Sequence, residues 1–470
     1  MILGSGPDTI PLDFRAELVA ILGAGHVRDE AGFGHGAALL VLPGSTLQVA
    51  EIVALCHAHG ISIVPQGGHT GLVDGCQSSP GQVVLSMTRM SAIEAIYPDE
   101  RVAVVQAGVT LEALQTAALA QGLEPGIDLA ARGSATIGGM VSTNAGGIMA
   151  HRYGVMRHRV LGLEAVLPDG SILSDMTRVV KNTAGYDLKH LFIGAEGTLG
   201  IVTRAVIKLE PVPQGTATVM LGLPSVTAAL AAINLALRST AGQLRAAEGL
   251  WQSYIQLTAR TQGWVKPSFP LDQPINLLLM LDGADPERLS EGIEQIFGAV
   301  LEKYPTATGI IATSKRQEAD LWRLREDTDQ LYRAHVAAPS YDVSVPLSEI
   351  EAYVDRLHEG LARIDGGIAP YVFGHLADGN LHIVLNRAGP LEARISSAVE
   401  QVLYAPLHDL GGSFSAEHGI GAKRIAALAA TAGPVKLAAM ETIKRALDPQ
   451  HILNPGKVLP REPTASEKFR

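Results

Sequence analysis

The sequence predicts an α+β chain of two domains, and three observations carry that prediction. The 470 residues exceed the span that one hydrophobic core organises, and a hydrophobic content of 47% can fill more than one. Ahead of Pro211, strand-like apolar runs and helical stretches follow one another without a regular βαβ repeat. Pro211-Val212-Pro213 then breaks the pattern, and long helical stretches separated by short strands take over.

Taken in order, residues 12–23 read as a helix stopped by Gly23. Residues 45–59, STLQVAEIVALCHAH, read as a clearer one: Ser45 or Thr46 is the cap, and Leu47, Ile52, Val53 and Leu55 are candidates for the buried stripe. The apolar run ISIVP follows as a strand and enters the loop from Gln66 to Gly75. Further strands are expected at 82–86, 102–107, 163–167 and 200–209, with a helix at 110–121. Beyond the Pro-Val-Pro break, helices are expected at 224–238, 286–304, 316–334, 347–362 and 391–409. Strands are expected between them at 276–281, 341–345, 369–374 and 381–386, forming one antiparallel sheet backed by helices. The tail holds helices at about 423–431 and 434–447, then Asp448-Pro449 and the turn-rich NPGK. The expected boundaries are a first domain at 1–213, a second at 214–422, and a C-terminal helical segment at 423–470 packing back on the first.

Charge and composition exclude several function classes. Thirty-seven basic against 47 acidic side chains leave a formal charge of −10 with no long basic run, which argues against nucleic acid and against an anionic membrane surface. Cys56 and Cys76 are too few for a disulfide framework or a cysteine-only zinc site, so a reducing compartment fits. The start, MILGSGPDTIPLDF, lacks a charged region followed by an apolar core, and no stretch approaches the roughly 20 apolar residues that span a bilayer. A cytoplasmic protein without direct membrane insertion is expected.

The glycines supply the first chemical signal. LVAILGAGHVRD imitates a dinucleotide fingerprint, but Arg28 stands at its third glycine position and no acid lies in the 39–50 stretch; a helix ended by glycine explains it better. No phosphate-loop motif of the GxxxxGK type is present. Three other segments set Gly beside Ser, Thr or Asn: PQGGHTGLVDG at 65–75, GSATIGGMVSTNAGG at 133–147 with HRYG at 151–154, and KNTAGYDLKHLFIGAEGTLGIVT at 181–203. Each alone reads as a tight turn. Together they suit a long phosphate-bearing ligand held largely by backbone N–H groups.

Histidines supply the second signal. In FGHLADGNLH, Asp378-Gly379 signals a hairpin, so His375 and His382 flank one turn and can converge on one atom, as metal ligands or as a satisfied buried pair. SAEHGIG adds a hard carboxylate at Glu417, a neighbouring imidazole at His418, and two glycines that permit close approach. Two imidazoles and one carboxylate leave positions open on Zn²⁺ or Mn²⁺.

The segments IGGMVSTNAGG, GYDLKHLFIGAEGTLGIVT, GHLADGNLH, EHGIG and LNPGK resemble one group of flavoproteins. This is the vanillyl-alcohol oxidase type, in the branch of D-lactate dehydrogenases, the glycolate oxidase catalytic subunit and D-2-hydroxyglutarate dehydrogenases. The resemblance runs from about residue 38 to 460 and implies a two-part FAD-binding domain plus a substrate domain. It implies FAD contacts from Pro65, Gly67, Gly68, His69, Thr70 and Gly71 in the first loop. In the second it implies Ser134, Thr136, Gly138, Gly139, Ser142, Asn144 and Gly147, with Tyr153 and Gly154 just after. Glu196, Gly197, Gly200, Ile201 and Asn454 complete the implied set. His69 departs from the pattern, since nearer relatives carry Asn there; it reads either as a neutral hydrogen-bond donor or as a covalent flavin attachment.

By the same resemblance His375, His382 and Glu417 are metal ligands and His418 is the base. The implied reaction is oxidation of a D-2-hydroxy acid: the metal lowers the hydroxyl pKa, His418 removes that proton, and the Cα hydride passes to flavin N5. Arg325 in LWRLRED is the candidate carboxylate anchor or else a solvated helix charge, and Asn380 contacts substrate or flavin or else serves the turn. Relatives acting on 2-hydroxyglutarate carry Thr and Lys where this chain has Asp329 and Ser340, so a monocarboxylic, D-lactate-like substrate is expected. The expected electron acceptor is an electron-transfer flavoprotein or a quinone-linked protein, and the expected assembly a homodimer. Two alternatives stay open: an oxygen-using oxidase with FAD covalently bound to His69, and a non-catalytic flavoprotein subunit with a structural metal.

Overall fold

The computed structural model describes residues 10–29, 36–264 and 271–460. Residues 1–9, part of the stretch that reads as free of a targeting signal, lie outside them. No helix of the described residues is long and apolar enough to cross a membrane.

The chain divides into two compact units. The first combines Met1–Gly146, Tyr153–Val212 and Glu417–Arg470; the second combines Gly147–Arg152 and Pro213–Ala416. The chain thus passes to the second unit at the Pro-Val-Pro break. Residues 417–422, placed by sequence in the second domain, group with the first, and Gly147–Arg152 group with the second.

In the first unit, β1 (Val27–Arg28), β2 (Leu39–Val41), β3 (Ile63–Gln66) and β4 (Val83–Ser86) form a sheet of order β1-β2-β4-β3. β2, β4 and β3 run parallel, and the helix Thr46–His59 makes the crossover from β2 to β3. Ser45 caps that helix by accepting from the Gln48 N–H at 3.3 Å, and the left-handed Gly60 ends it. Its buried stripe is Val49, Ile52, Val53 and Cys56. Leu47, expected in that stripe, is 68% exposed, because it stands about 200° around the helix from Val49.

A second sheet of the same unit is antiparallel. Its order is β5-β6-β10-β8-β9, from β5 (Ile93–Tyr97), β6 (Val102–Gln106), β8 (Val160–Val166), β9 (Ile172–Asp175) and β10 (Ile201–Lys208). The short strands β7 (Leu123–Glu124) and β11 (Glu210–Pro211) pair beside it. The tail is stitched into this unit: the Ile63 N–H donates to Ile452 O at 2.7 Å and the Asn454 N–H to Ile63 O at 2.8 Å. Buried Asp448 locks the preceding turn, accepting from Lys444 Nζ and from the N–H groups of Ile452 and Leu453.

The second unit is built on one seven-stranded antiparallel sheet backed by helices, the layered arrangement the sequence predicts. Its strands are β12 (Gly215–Leu223), β13 (Gln243–Trp251), β14 (Ile275–Gly283), β15 (Thr308–Ile311), β16 (Ser340–Ser344), β17 (Pro370–His375) and β18 (Asn380–Leu385). Their order is β15-β12-β14-β13-β17-β18-β16. β12, β13 and β15 escaped the sequence reading; Gly, Ala and Leu dominate β12 and β13 and give no period of two to tell strand from helix. The helix expected at 316–334 is two, Lys315–Glu326 and Asp329–Ala334, parted at Asp327 and Thr328.

Candidate active site

A cavity of about 340 Å³ opens in the first unit. One wall is the loop that leaves β3, Gly67 to Gly71; another is the short helix Ile137–Thr143, capped by Thr136. The two walls touch closely enough to require glycine. A Cβ on Gly67 would sit 2.3 Å from Thr136 Oγ1, one on Gly68 would sit 1.7 Å from the Ser134 carbonyl oxygen, and one on Gly138 would meet Ala107 Cβ at 2.5 Å. The Gly138 N–H is spent on Ala107 O and the Gly139 N–H on Thr136 Oγ1. By contrast, no hydrogen bond within the described residues uses the N–H of Gly67, Gly68, Thr70 or Gly71.

Glu196 and Asn454 also line the cavity, and both are buried. Glu196 has a left-handed φ of 52° and accepts the N–H groups of Ile420 and Gly421 at 2.7 and 2.8 Å; burial pushes its carboxyl pKa up against those bonds. Asn454 donates to Gly75 O and Glu196 O, while its buried Oδ1 has no partner among the described residues. Backbone donors together with an orphaned amide oxygen fit a phosphate-bearing ligand that also carries an N–H. His69 faces the same cavity with φ 57°. Gln66 gives its amide N–H to Cys76 O, so its Oε1 turns to His69 Nε2 at 2.9 Å. The ring therefore carries its proton on Nε2, and burial keeps its pKa below the usual histidine range.

Glu417 and His418 also line this cavity. A side chain at Gly146 would meet Glu417 Oε1 at 2.6 Å, so that glycine makes room for the acid. His418 Nδ1 lies 3.4 Å from Arg424 Nη2. A guanidinium can only donate, so in this contact the ring accepts at Nδ1.

In the second unit, β17 and β18 form the hairpin signalled by Asp378-Gly379, and Gly379 takes φ 81° with no room for a Cβ beside Val345 O. Sheet register then sets a buried carboxylate against each imidazole. His375 lies opposite Glu248 on β13, and its Nδ1 is 2.7 Å from Oε1. His382 lies opposite Asp342 on β16, with Nδ1 3.5 Å from Oδ1. The two rings stand 5.3 Å apart, edge to face. A neutral ring that gives its Nδ1 proton to a carboxylate keeps its Nε2 lone pair for a metal, so the donor set fits a divalent ion. Burial lowers the His382 pKa beyond what Asp342 restores, which favours that neutral ring.

Arg325, on the helix Lys315–Glu326, is buried, so the solvated-charge alternative fails. Its Nε donates to Glu248 Oε2 at 2.6 Å, and its guanidinium lies 5.0 Å from the centre of the Phe373 ring. Burial alone would raise the Glu248 carboxyl, but His375 and Arg325 override it and hold the pKa down to about 2. Asn380 is no plain turn residue: it is buried, its Nδ2 donates to Asp342 Oδ1 at 2.7 Å and to Val343 O, and its Oδ1 has no partner among the described residues. The second oxygen of Asp342 accepts the N–H of Ala416 at 3.0 Å, one residue before Glu417 in the chain.

Of the residues implied in flavin binding, Pro65, Gly67–Gly71, Thr136, Gly138, Gly139, Ser142, Glu196, Gly197, Ile201 and Asn454 line the cavity. Ser134, Asn144, Tyr153, Gly154 and Gly200 do not. Ser134 offers the carbonyl against which Gly68 packs, Asn144 accepts the Arg157 N–H at the end of its helix, and Tyr153 stacks under Arg159. Gly154 and Gly200 clear space for His158 and Phe192, and Gly147 groups with the other unit. Sequence reasoning missed Glu248 and Asp342. The available signal was a lone acid within an otherwise apolar strand, in RAAEGLW and in SYDVSVP.

A family model of FAD linked oxidases, C-terminal domain, matches residues 212–458, and an FAD binding domain model matches 37–175. The chain is 36% identical over 430 residues to the D-2-hydroxyglutarate dehydrogenase of Xanthomonas citri pv. viticola, a match covering 89% of this chain and 88% of that one. With the mitochondrial D-2-hydroxyglutarate dehydrogenase of Bos taurus the identity is 35% over 425 residues, covering 90% and 77%. Among solved structures, 4-ethylphenol oxidase from Gulosibacter chungangensis superposes with a TM-score of 0.74 at 21% identity, covering 97% of this chain and 98% of the other. The substrate-bound structure of p-cresol methylhydroxylase gives 0.74 at 20%, covering 96% of each, and both likenesses are of fold. Matched over more than half its length by the family's C-terminal domain and at its other end by the FAD binding domain, the chain belongs to the FAD-linked oxidases of the vanillyl-alcohol oxidase type.

Proposed function

We propose that the chain oxidises a D-2-hydroxy acid to the 2-oxo acid, with FAD held by the cavity of the first unit and a divalent metal held by His375, His382 and Glu417. The observation that carries this reading is the pair of buried carboxylates, Glu248 and Asp342, set against Nδ1 of the two histidines. A structural pair of histidines has no need of two buried acids behind it; ligands do. Bound there, FAD supplies the acceptor for the Cα hydride at N5 and the metal a Lewis acid for the hydroxyl oxygen.

The remaining work belongs to the chain. Arg325, its Nε committed to Glu248, presents a guanidinium to the substrate carboxylate. His418 takes the hydroxyl proton. The substrate then loses that proton and a Cα hydride, two electrons in all, and becomes the 2-oxo acid. His69 acts as a neutral donor to Gln66, which supports non-covalent flavin, released on acid precipitation. Electrons leave to an electron-transfer flavoprotein or a quinone-linked protein.

A monocarboxylic, D-lactate-like acid is the proposed substrate, since the exposed acid Asp329 and the neutral Ser340 offer no cation for a second carboxylate. The D-2-hydroxyglutarate dehydrogenases among the relatives favour a second reading, the dicarboxylic acid itself. Anaerobic mixing of the flavoprotein with D- and L-lactate and D- and L-2-hydroxyglutarate, before and after chelation, decides between them. Faster flavin bleaching by D-lactate than by D-2-hydroxyglutarate, abolished by chelation and restored by Zn²⁺ or Mn²⁺, is the expected result. Bleaching by none of the four acids rejects the whole reading.

A further inference from the structure

We propose that Glu248 is a positioning residue that joins a metal ligand to the substrate anchor: one carboxylate holds His375 by one oxygen and Arg325 by the other, so that metal affinity depends on both. The inference rests on the proposed roles of His375 and Arg325. Three observations carry it. Glu248 lies opposite His375 in the β13–β17 register, so the backbone fixes the distance between them. Oε1 meets His375 Nδ1 at 2.7 Å and Oε2 meets Arg325 Nε at 2.6 Å, so neither oxygen is left to choose a partner. Glu248 is fully buried, so water does not replace either contact if one is lost.

The two partners differ in what they tolerate. Arg325 Nε can only donate, whereas imidazole can move its proton from one nitrogen to the other. A carboxamide in place of the carboxylate has one acceptor and one donor. Its oxygen must stay with Arg325, so its NH₂ turns to His375 Nδ1, which then has to accept. The ring proton moves to Nε2 and blocks the nitrogen that would bind metal. Glu248→Gln, nearly the same in shape, thus acts on metal binding through a tautomer and not through packing.

The test measures Zn²⁺ affinity on the flavin-loaded protein by competition with a chromophoric chelator. Glu248→Gln should weaken binding ten- to a hundredfold, the range seen when a ligand's hydrogen-bond partner is removed. In a His375→Ala background the same substitution should change affinity by less than twofold, because its route to the metal is gone. Arg325→Met, which removes no ligand, should still weaken Zn²⁺ binding at least threefold by releasing Oε2. An affinity within twofold of wild type in Glu248→Gln, or in Arg325→Met should the first variant not fold, overturns the coupling and leaves the metal reading standing. A wild-type chain that takes up no Zn²⁺ overturns the metal reading, and the coupling falls with it.

Discussion

Gly68→Ala adds a single methyl group and should weaken flavin binding in the cavity proposed to hold it. The new Cβ would lie 1.7 Å from the Ser134 carbonyl oxygen, 2.6 Å from its carbon and 3.3 Å from Ala135 Cα. Contact distances near 3.5 Å require a retreat of roughly 1.5–2 Å. The obstacle is backbone, with no side chain to swing aside. That backbone is itself pinned: Ser134 and Ala135 both donate to Ala131 O, and Ala135 O accepts from Leu111. The loop Gly67–Gly71 must therefore move, carrying its uncommitted N–H groups away from the ligand. Overpacking of this kind costs about 1–3 kcal/mol. Charged against flavin binding, it is about a ten- to hundredfold loss of affinity. Flavin absorbance per chain after gel filtration, with the melting temperature of the same sample, gives both numbers. A Gly68→Ala protein that keeps one flavin per chain and melts with wild type refutes the assignment of this loop to the cofactor.

Three further outcomes follow from the structure. Asp342→Ala strips three donors of a buried acceptor, Asn380 Nδ2, His382 Nδ1 and the Ala416 N–H, and should cost about 3 kcal/mol, read as a lower denaturant midpoint at unchanged slope. Burial pushes the Glu210 carboxyl up, but Arg159 and Lys208 outweigh it and hold the folded pKa below the ordinary 4.5; the stabilisation is therefore present above that pH and lost as pH falls through the folded value. The stability gap between wild type and Glu210→Gln should accordingly stay constant above about pH 5 and close as acid is added, and a gap that widens in acid contradicts the pairing. Gly298→Ala lies exposed inside the helix Pro286–Lys303 with nothing within 4 Å of the added carbon, and should raise stability by about 0.5–1 kcal/mol in the same denaturant assay.

The sequence by itself determined the α+β class, the antiparallel second sheet and the chain break at Pro211-Val212-Pro213, because hydrophobic period and proline act locally. It also determined the glycine system, whose close approaches at Gly67, Gly68 and Gly138 leave no alternative residue, and the hairpin that brings His375 and His382 to one turn. The strands β12 and β13 were illegible for the opposite reason: small and apolar residues without alternation serve either helix or strand, and only pairing with β14 decides. Tertiary structure alone decided which acids stand behind the imidazoles. Glu248 and Asp342 are separated from their histidines by 127 and 40 residues, and what joins them is strand register, a property of the assembled sheet that no local window contains. The same holds for Arg325: the sequence offers it as an anchor or a solvated charge, and only the fold buries it against Glu248 and Phe373.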